Sequence, residues 1–498
     1  MTGQERPTTV GRIENARTPS SAVPRALTRL VWALWLVSLG VLAFRIRNGG
    51  TWEVAGLFRI DGLTVVMWVA VTFFSGVVHS YSRRYMAGSR HRTRFFSRVF
   101  AFTAVVALLV AADSVVLFAA AWLAMGLVMA DLIGLVRGWP QARAAASVAR
   151  RYFLAGSAFL TVSLATLWWH TGETTVSGIT SALGTVPSTG VLFAAGTLLA
   201  AAMVQSALIP FHTWLLSSMT APTPASALMH AGFVNAGGVL LTRFAPVVGA
   251  DPGFMLVVVL VGAGSALLGK LLKSVQSDVK RRLGCSTTGQ MGFMIMQVGL
   301  GFFAAAIAHL LIHGCYKAYL FLSAGGRVEH TSPATLEKNV RAGSPGVVGA
   351  AVIGSSALAG GALFAVLTGK GTSLDGGLLL TGLVALTTLH AAWTAVGSTA
   401  LSPAIRYGLV PLVFLPAIAV YAAVYVTIDG LLVDVPLGTS PAELTPVHGV
   451  VAAAFLVAYV AIETGVYRRS ERLYVAFLNA TRSPPGTVLT SREEYNEY

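Results

Sequence analysis

The chain has 498 residues, of which 55% are hydrophobic and only 11% are charged. Soluble globular proteins carry about 25% charged residues, so the composition excludes an ordinary soluble domain and indicates an integral membrane protein. The formal net charge is +15, but the basic residues lie in short segments between apolar runs instead of forming one basic face. This pattern is typical of cytoplasmic membrane loops, and no nucleic-acid partner is predicted.

Apolar runs recur along the whole chain. A membrane span needs roughly 20 apolar residues, and the sequence predicts an all-α polytopic membrane protein with about fourteen spans in the lipid bilayer. The predicted spans are 27–44, 60–82, 97–112, 114–136, 152–169, 188–209, 223–247, 253–273, 284–300, 301–323, 345–366, 377–398, 408–427 and 447–467. They define a polar tail at 1–26, a transmembrane domain at 27–467 and a C-terminal tail at 468–498.

The loop charges assign the two sides of the membrane. If the fourteen spans alternate in direction, the basic segments all fall on one side; they are 83–98, 137–151, 280–282 and 327–341. The loops at 171–187 and 428–446 carry acidic residues but no Lys or Arg, and they fall on the other side. Because basic loops stay in the cytoplasm, we expect a plasma-membrane protein with both termini in the cytoplasm.

Polar and helix-breaking residues interrupt one apolar region, "VQSALIPFHTWLLSSMTAPTPASALMHAGFVNAGG" at 204–238. Pro210 removes a backbone donor, and Pro222 with the proline two residues later prevents a continuous helix. The freed carbonyls must face protein or water instead of lipid. With His212 and His230 beside it, the break predicts a discontinuous helix of the kind that lines transporter sites. A Pro-terminated helix end with a re-entrant turn is the alternative.

Lys317 is the one lysine that is predicted to lie deep in a span. In "IAHLLIHGCYKAYLFLSAGG" it follows His313 by four residues and His309 by eight. At 3.6 residues per turn, these three side chains lie along one stripe of a helix. A lysine in a bilayer must face polar groups or water, and lysine and imidazole groups in such surroundings exchange protons near neutral pH. The stripe favours a proton relay over a snorkelling lysine with structural histidines.

Other polar residues in the spans give weaker signals. His390, in "LTTLHAAWTAVG", is a candidate for the ion path because lipid-exposed histidine is disfavoured. Asp61 and Asp113 lie at predicted helix ends and are expected to cap them, whereas Asp131 suits a structural role and an ion-path role equally. The sequence has no Cys/His metal cluster, phosphate loop or Ser/His/Asp set, so no catalysis and no bound cofactor are predicted for this chain.

Together these motifs resemble the proton-translocating, antiporter-like subunits of respiratory complex I and of multisubunit cation/proton antiporters. The resemblance covers about 60–326: "IDGLTVVMWVAVTFFSGVVHSYSRRYMAG", the broken stretch, "SVQSDVKRRLGCSTTGQMGFM" and "HLLIHGCYKAYLFLSAGG" follow in the order of that family. It implies two inverted five-helix repeats, each with a broken helix.

Two charged positions of that family are uncharged in this chain. The family's early glutamate corresponds to Leu123, and its broken-helix lysine corresponds to Gln205, which is polar but uncharged. The central lysine is kept as Lys317, and Lys370 is a loose counterpart of the last one. Pattern and resemblance together predict a proton or cation path that comprises Lys317, His313, His309, His230, His212, Gln205 and His390.

One branch of the family resembles the chain more closely: the membrane subunits of DAB inorganic-carbon accumulation complexes, with "YSRRY", "HAGFVNAGG" and no early glutamate. This resemblance implies conduction of H⁺ or Na⁺ down its gradient, which energises CO2 hydration by a large zinc-containing partner similar to β-carbonic anhydrases. Zinc is thus expected in the partner and not in this chain. The alternatives are a cation/proton antiporter or proton-pumping subunit of a respiratory or hydrogenase complex, and a non-conducting membrane anchor for a soluble enzyme.

Overall fold

The computed structural model describes residues 22–324, 346–397, 402–438, 442–466, 470–482 and 484, and most of these residues are helical. The helices of this part of the chain are, in order, α1 Val23–Asn48, α2 Gly62–Tyr85, α3 Arg92–Ala111, α4 Val115–Ile133, α5 Pro140–Thr171, α6 Val176–Ser181, α7 Ser188–Gln205, α8 Thr213–Ser217, α9 Thr223–Ala231, α10 Ala236–Arg243, α11 Ala245–Val248, α12 Pro252–Ser274, α13 Val279–Gly299, α14 Phe303–Leu322, α15 Val347–Thr368, α16 Gly376–Val396, α17 Pro403–Leu409, α18 Leu415–Leu431, α19 Pro446–Thr464 and α20 Glu471–Ala480.

Short irregular elements join some of these helices. Between α1 and α2, strands β1 Trp52–Val54 and β2 Phe58–Ile60 form an antiparallel hairpin. A 3₁₀ turn, Phe233–Asn235, separates α9 from α10, and the π-helical segment Val410–Phe414 separates α17 from α18. Further 3₁₀ turns lie at Leu183–Thr185 and Ser218–Thr220.

Twelve helical segments in the described part of the chain are long and apolar enough to cross a membrane. They coincide with twelve of the predicted spans, and the all-α polytopic fold is confirmed. The other two predicted spans also fall on helices: α13, whose first turns carry Lys280 and two arginines, and α19, whose apolar stretch Pro446–Ile462 is shorter. The basic segment at 327–341 and most of the two predicted tails lie outside the described residues, and the inverted repeats stay a prediction.

Carboxylates set several helix ends. Asp61 accepts a hydrogen bond from the Thr64 backbone at 2.9 Å, which confirms its predicted role as the N-cap of α2. Asp113 accepts bonds from the backbone and the hydroxyl of Ser177 at 2.9 and 2.6 Å, so it binds the first turn of α6. The two bonds from backbone N–H groups satisfy donors that a helix leaves unpaired.

Asp131 has a structural role on α4. Its carboxylate forms an ion pair with Arg94 at 3.0 Å and a second one with Arg98, both on α3. The pairs join these neighbouring helices at one end, and of the two roles predicted for Asp131 they support the structural one.

Glycines bring the backbones of α12 and α13 into contact. A Cβ atom on Gly262 would lie 2.4 Å from the Met296 nitrogen, and one on Gly292 would lie 2.4 Å from the Ala266 nitrogen. Neither position accepts a side chain without movement of the opposite backbone. The two helices are thus packed in the small-residue manner that is common in membranes.

Candidate ion-path site

Helix α14 carries the predicted stripe of Lys317, His313 and His309, all of which are buried: their exposed fractions are 0%, 4% and 9%. The rings of His309 and His313 are nearly parallel, with centroids 5.8 Å apart. The 3.6-residue periodicity of the sequence thus places the three groups as expected. Their role in proton transfer stays a prediction.

Lys317 has little to compensate its charge. Its ammonium donates a hydrogen bond to the Leu283 carbonyl of α13 at 2.9 Å, and among the described residues no carboxylate lies within 4.0 Å of it. An ammonium has three N–H donors, and the Leu283 carbonyl accepts from only one of them. A buried charge without a counter-charge is costly, and release of a proton removes that cost. The site therefore suits a lysine that alternates between two protonation states.

His230, on α9, contacts the same parts of α13 and α14 as Lys317. Its Nδ1 pairs with the Thr287 hydroxyl at 2.9 Å, and its ring stacks on Phe321 with centroids 4.3 Å apart. Thr287 lies one turn after Leu283 on α13, and Phe321 lies one turn after Lys317 on α14. The imidazole and the ammonium thus bond to neighbouring turns of α13, His230 through Thr287 and Lys317 through Leu283. We refer to the region where α9, α13 and α14 meet around Lys317 as the lysine cleft.

Each imidazole at the lysine cleft keeps one nitrogen without a hydrogen-bond partner among the described residues: Nε2 of His230, His309 and His313. A neutral imidazole can accept a proton on one nitrogen and release one from the other. Nε2 of His309 and Nε2 of His313 have no hydrogen-bond partner among the described residues although the two ring centroids are only 5.8 Å apart, and one bridging water can connect such groups. The arrangement can thus pass a proton along α14 to or from Lys317.

The helix break that the prolines predict is present. Helix α7 ends at Gln205, α8 begins at Thr213, and α9 begins at Thr223 directly after Pro222. The amide of Gln205 donates to the Phe233 carbonyl at 3.1 Å, in the 3₁₀ turn after α9. Gln205 therefore joins two interrupted segments, and its amide cannot change its charge in the way a lysine can.

His212 lies at the start of α8 and contacts a helix that the sequence reasoning missed. Its Nε2 donates to the Ala480 carbonyl of α20 at 2.9 Å, and Gln276, two residues after α12, donates to the Thr481 hydroxyl at 3.0 Å. Helix α20 lies in the predicted C-terminal tail. Its sequence signal is a Ser470 N-cap followed by apolar residues at helical spacing.

His390 does not contact the stripe in any hydrogen bond or ring contact of the described residues. It lies half-buried on α16, and its ring packs against Tyr459 of α19 with centroids 5.9 Å apart. The structure therefore gathers Lys317, His313, His309 and His230 around one cleft. His212 and Gln205 lie in the helix break, and His390 lies between two other helices.

The sequence reasoning also missed a buried ion pair. Arg243, at the end of α10, binds both carboxylate oxygens of Asp61, and it donates further bonds to the Thr64 hydroxyl at 3.1 Å and the Val110 carbonyl at 3.0 Å. The exposed fractions are 9% for Arg243 and 1% for Asp61. The only signal in the sequence is an arginine that ends an apolar run, and it does not identify the partner.

The model of the NADH:quinone oxidoreductase/Mrp antiporter transmembrane family matches residues 112–394, more than half of the chain. The chain belongs to this family. A second model, the N-terminus of complex I chain 5, matches residues 48–96. The resemblance that the motifs indicated is thereby confirmed, and the protein is a multi-pass, antiporter-like membrane protein.

Several relatives in the family carry names that mention inorganic carbon. The probable inorganic carbon transporter subunit DabB1 of Halothiobacillus neapolitanus is 38% identical over 280 residues, which are 55% of this chain and 50% of that protein. DabB of Bacillus subtilis is 35% identical over 315 residues, 61% of each chain. NADH-quinone oxidoreductase subunit L of Mycobacterium tuberculosis is 36% identical over 287 residues, 55% of this chain and 45% of that one.

The fold of the family is also found in a solved assembly. A chain of the Mrp complex from Dietzia sp. superposes with a TM-score of 0.56 and 25% identity, covering 92% of this chain and 50% of that chain. This chain thus spans about half the length of the relatives that it matches.

Proposed function

We propose that this chain is the ion-conducting membrane subunit of an inorganic-carbon accumulation complex. An H⁺ or Na⁺ gradient would drive the ion through the lysine cleft, and a large zinc-containing partner similar to β-carbonic anhydrases would hydrate CO2. The observation that carries the conduction role is a buried lysine without a counter-charge, beside three imidazoles that each keep an unpaired nitrogen. The relatives named as inorganic carbon transporter subunits support the carbon role.

If the coupling ion is a proton, the side chains at the lysine cleft can pass it from one to the next. A neutral Lys317 takes a proton from His313, whose other nitrogen is refilled from His309 through a bridging water. Lys317 then releases its proton to Nε2 of His230, which has no hydrogen-bond partner among the described residues, and returns to the neutral state. The broken helix at 205–213 brings non-helical backbone and His212 into the bundle, which supports a polar connection from the membrane surface to the cleft.

The test is uptake of labelled inorganic carbon in cells that lack carbonic anhydrase and express this chain with its partner. Uptake should require both proteins and should stop when an uncoupler removes the gradient. Lys317→Ala should abolish the uncoupler-sensitive part while the protein stays in the membrane and bound to the partner. Rescue by this chain alone, or full uncoupler-sensitive uptake by Lys317→Ala, would refute the proposal.

Lys370→Ala provides the matched control. Lys370 follows α15 and is half-buried, but its ammonium lies over the rings of Phe302 and Tyr425, at 4.8 and 5.7 Å from their centroids. It faces aromatic rings where Lys317 faces imidazoles. Uptake by Lys370→Ala should therefore stay close to that of the unaltered chain.

A non-conducting anchor is the second candidate function. It is favoured by Leu123 and Gln205. These residues are uncharged, whereas the antiporter-like subunits that the chain resembles carry a glutamate and a lysine at the corresponding positions. An anchor predicts that the partner leaves the membrane when this chain is absent, but that Lys317→Ala changes nothing. The uptake experiment therefore separates the two functions.

A further inference from the structure

An apolar cavity of about 40 Å³ lies in the N-terminal half of the bundle, between α2, α3, α4, α9 and α10. Aromatic and aliphatic side chains form most of its wall, among them Phe74, Phe102, Phe118, Trp122 and Met125. None of these residues belongs to the lysine cleft.

The polar groups in the cavity wall are already engaged. Of the lining side chains, Thr103 and Arg243 are the ones with a hydroxyl or a charge. Thr103 bonds to the Val99 carbonyl at 2.9 Å and to the Ser75 hydroxyl at 2.5 Å. The guanidinium of Arg243 binds Asp61, Thr64 and a backbone carbonyl. A buried water needs two to four polar partners, so the cavity offers water little beyond the indole N–H of Trp122.

The size of the cavity restricts what it can hold. A single water needs roughly 10–15 Å³ measured in this way, and a dry cavity of roughly 150 Å³ accommodates benzene or xenon. A cavity of about 40 Å³ lies between these values. It suits an uncharged molecule of a few non-hydrogen atoms.

Two walls of the cavity separate it from the surroundings of the bundle. Arg243 also lines a polar pocket of about 290 Å³, together with Asp113 and Asp434, so the Arg243–Asp61 pair separates charged groups from the apolar space. Phe74 also lines an open apolar groove between α2 and α14, with Val77 and Tyr319. An ion would lose its hydration at the first wall, whereas at the second wall an apolar molecule dissolved in the bilayer meets Phe74, which lines both the groove and the cavity.

We infer that this cavity is a binding site for a small, uncharged, apolar molecule that enters from the groove past Phe74. Under the proposed function, on which this part rests, the physiological occupant is CO2. The site borders the helix of the relay, because Leu310, which directly follows His309 on α14, is also part of its wall. Inorganic carbon in its uncharged form and the coupling ion would thus occupy neighbouring but separate sites.

The test uses xenon as the probe on the full chain in lipid nanodiscs, observed by hyperpolarised xenon NMR, with a xenon-pressurised crystal to locate the site. We expect xenon bound between Phe102, Phe118 and Trp122, and loss of binding in Ala70→Phe, which fills the cavity from α2. Ala236→Leu fills it from α10 and serves if the first variant unfolds. Leu127→Phe, on the surface of α4, is the control and should keep xenon. No bound xenon, or xenon that persists in both filled variants, would overturn the site.

A competition experiment tests the occupant. Dissolved CO2 at acidic pH should displace xenon, and bicarbonate at alkaline pH should not. Displacement by oxygen or argon but not by CO2 would overturn CO2 as the occupant. These binding measurements involve no partner and no gradient, so their failure is distinguishable from failure of the proposed function, which only the uptake experiment tests.

Discussion

The Arg243–Asp61 pair and the lysine cleft both hold charged side chains away from water, but only the first compensates the charge. Arg243 has a carboxylate, a hydroxyl and a carbonyl as acceptors. Lys317 has one carbonyl as acceptor, and the imidazoles at the lysine cleft each keep a nitrogen without a hydrogen-bond partner among the described residues. Breaking a buried ion pair costs much free energy. A buried charge without a counter-charge, in contrast, is stabilised when it gives up its proton. Burial alone therefore does not identify a functional charge, and the local acceptors do.

The largest effect on stability is expected at the compensated pair. Asp61→Ala leaves the guanidinium of Arg243 buried without its counter-charge, which should lower the free energy of unfolding by about 3–5 kcal/mol. Thermal unfolding in detergent measures the loss. The double variant Asp61→Ala/Arg243→Met should recover most of it. If the single variant is as stable as the unaltered chain, the pair is not what holds α2 against α10.

At the lysine cleft the conservative replacement should remove function without removing stability. Lys317→Arg keeps a positive charge but cannot release a proton, because a guanidinium stays charged. Uptake of labelled inorganic carbon should fall to the level seen with an uncoupler, at an unfolding temperature close to that of the unaltered chain. Retained uptake in this variant would mean that Lys317 contributes only a fixed charge.

His313→Ala should have an intermediate effect. The position lies between His309 and Lys317, and a water molecule can bridge one missing relay group. We expect uncoupler-sensitive uptake to fall several-fold without disappearing. His390→Ala is the comparison within the membrane, because that ring packs against Tyr459 and not against the stripe. Equal losses in the two variants would contradict the separation of the relay from the other buried histidines.

The smallest effect is expected at the helix break. His212→Ala removes one hydrogen bond, to the Ala480 carbonyl, which is worth about 0.5–1.5 kcal/mol. Hydrogen exchange of the α20 backbone amides should accelerate accordingly, while exchange in α14 should not change. Unchanged exchange in α20 would show that the Gln276 contact and Phe477 alone hold this helix on the break.

Features that depend on local spacing could be predicted from the sequence. The apolar runs correspond to helices, Pro222 lies at a helix interruption as expected, and the stripe of Lys317, His313 and His309 follows from one helical period. Asp61 was predicted to be a helix cap for the same reason, because the group that it binds lies three residues away.

Features that depend on the tertiary fold could not be predicted. Arg243 and Asp61 are 182 residues apart in the chain, and His212 and Ala480 are 268 residues apart. No local pattern specifies such pairs. The role of Gln205 is similar: its sequence context showed that a charge is missing, but only the fold shows its bond to the Phe233 carbonyl.

The glycine contact between α12 and α13 has a mechanical consequence. Two backbones that already touch at Gly262 and Gly292 cannot slide or rotate past each other, so α12 and α13 form a rigid pair. The Leu283 carbonyl that receives the Lys317 bond belongs to this fixed part. On the opposite side, α9 approaches α14 just as closely, because a Cβ atom on Gly314 would lie 2.8 Å from the Ala231 carbonyl. A conformational change at the lysine cleft would therefore have to move α9 and α14 together against α12 and α13.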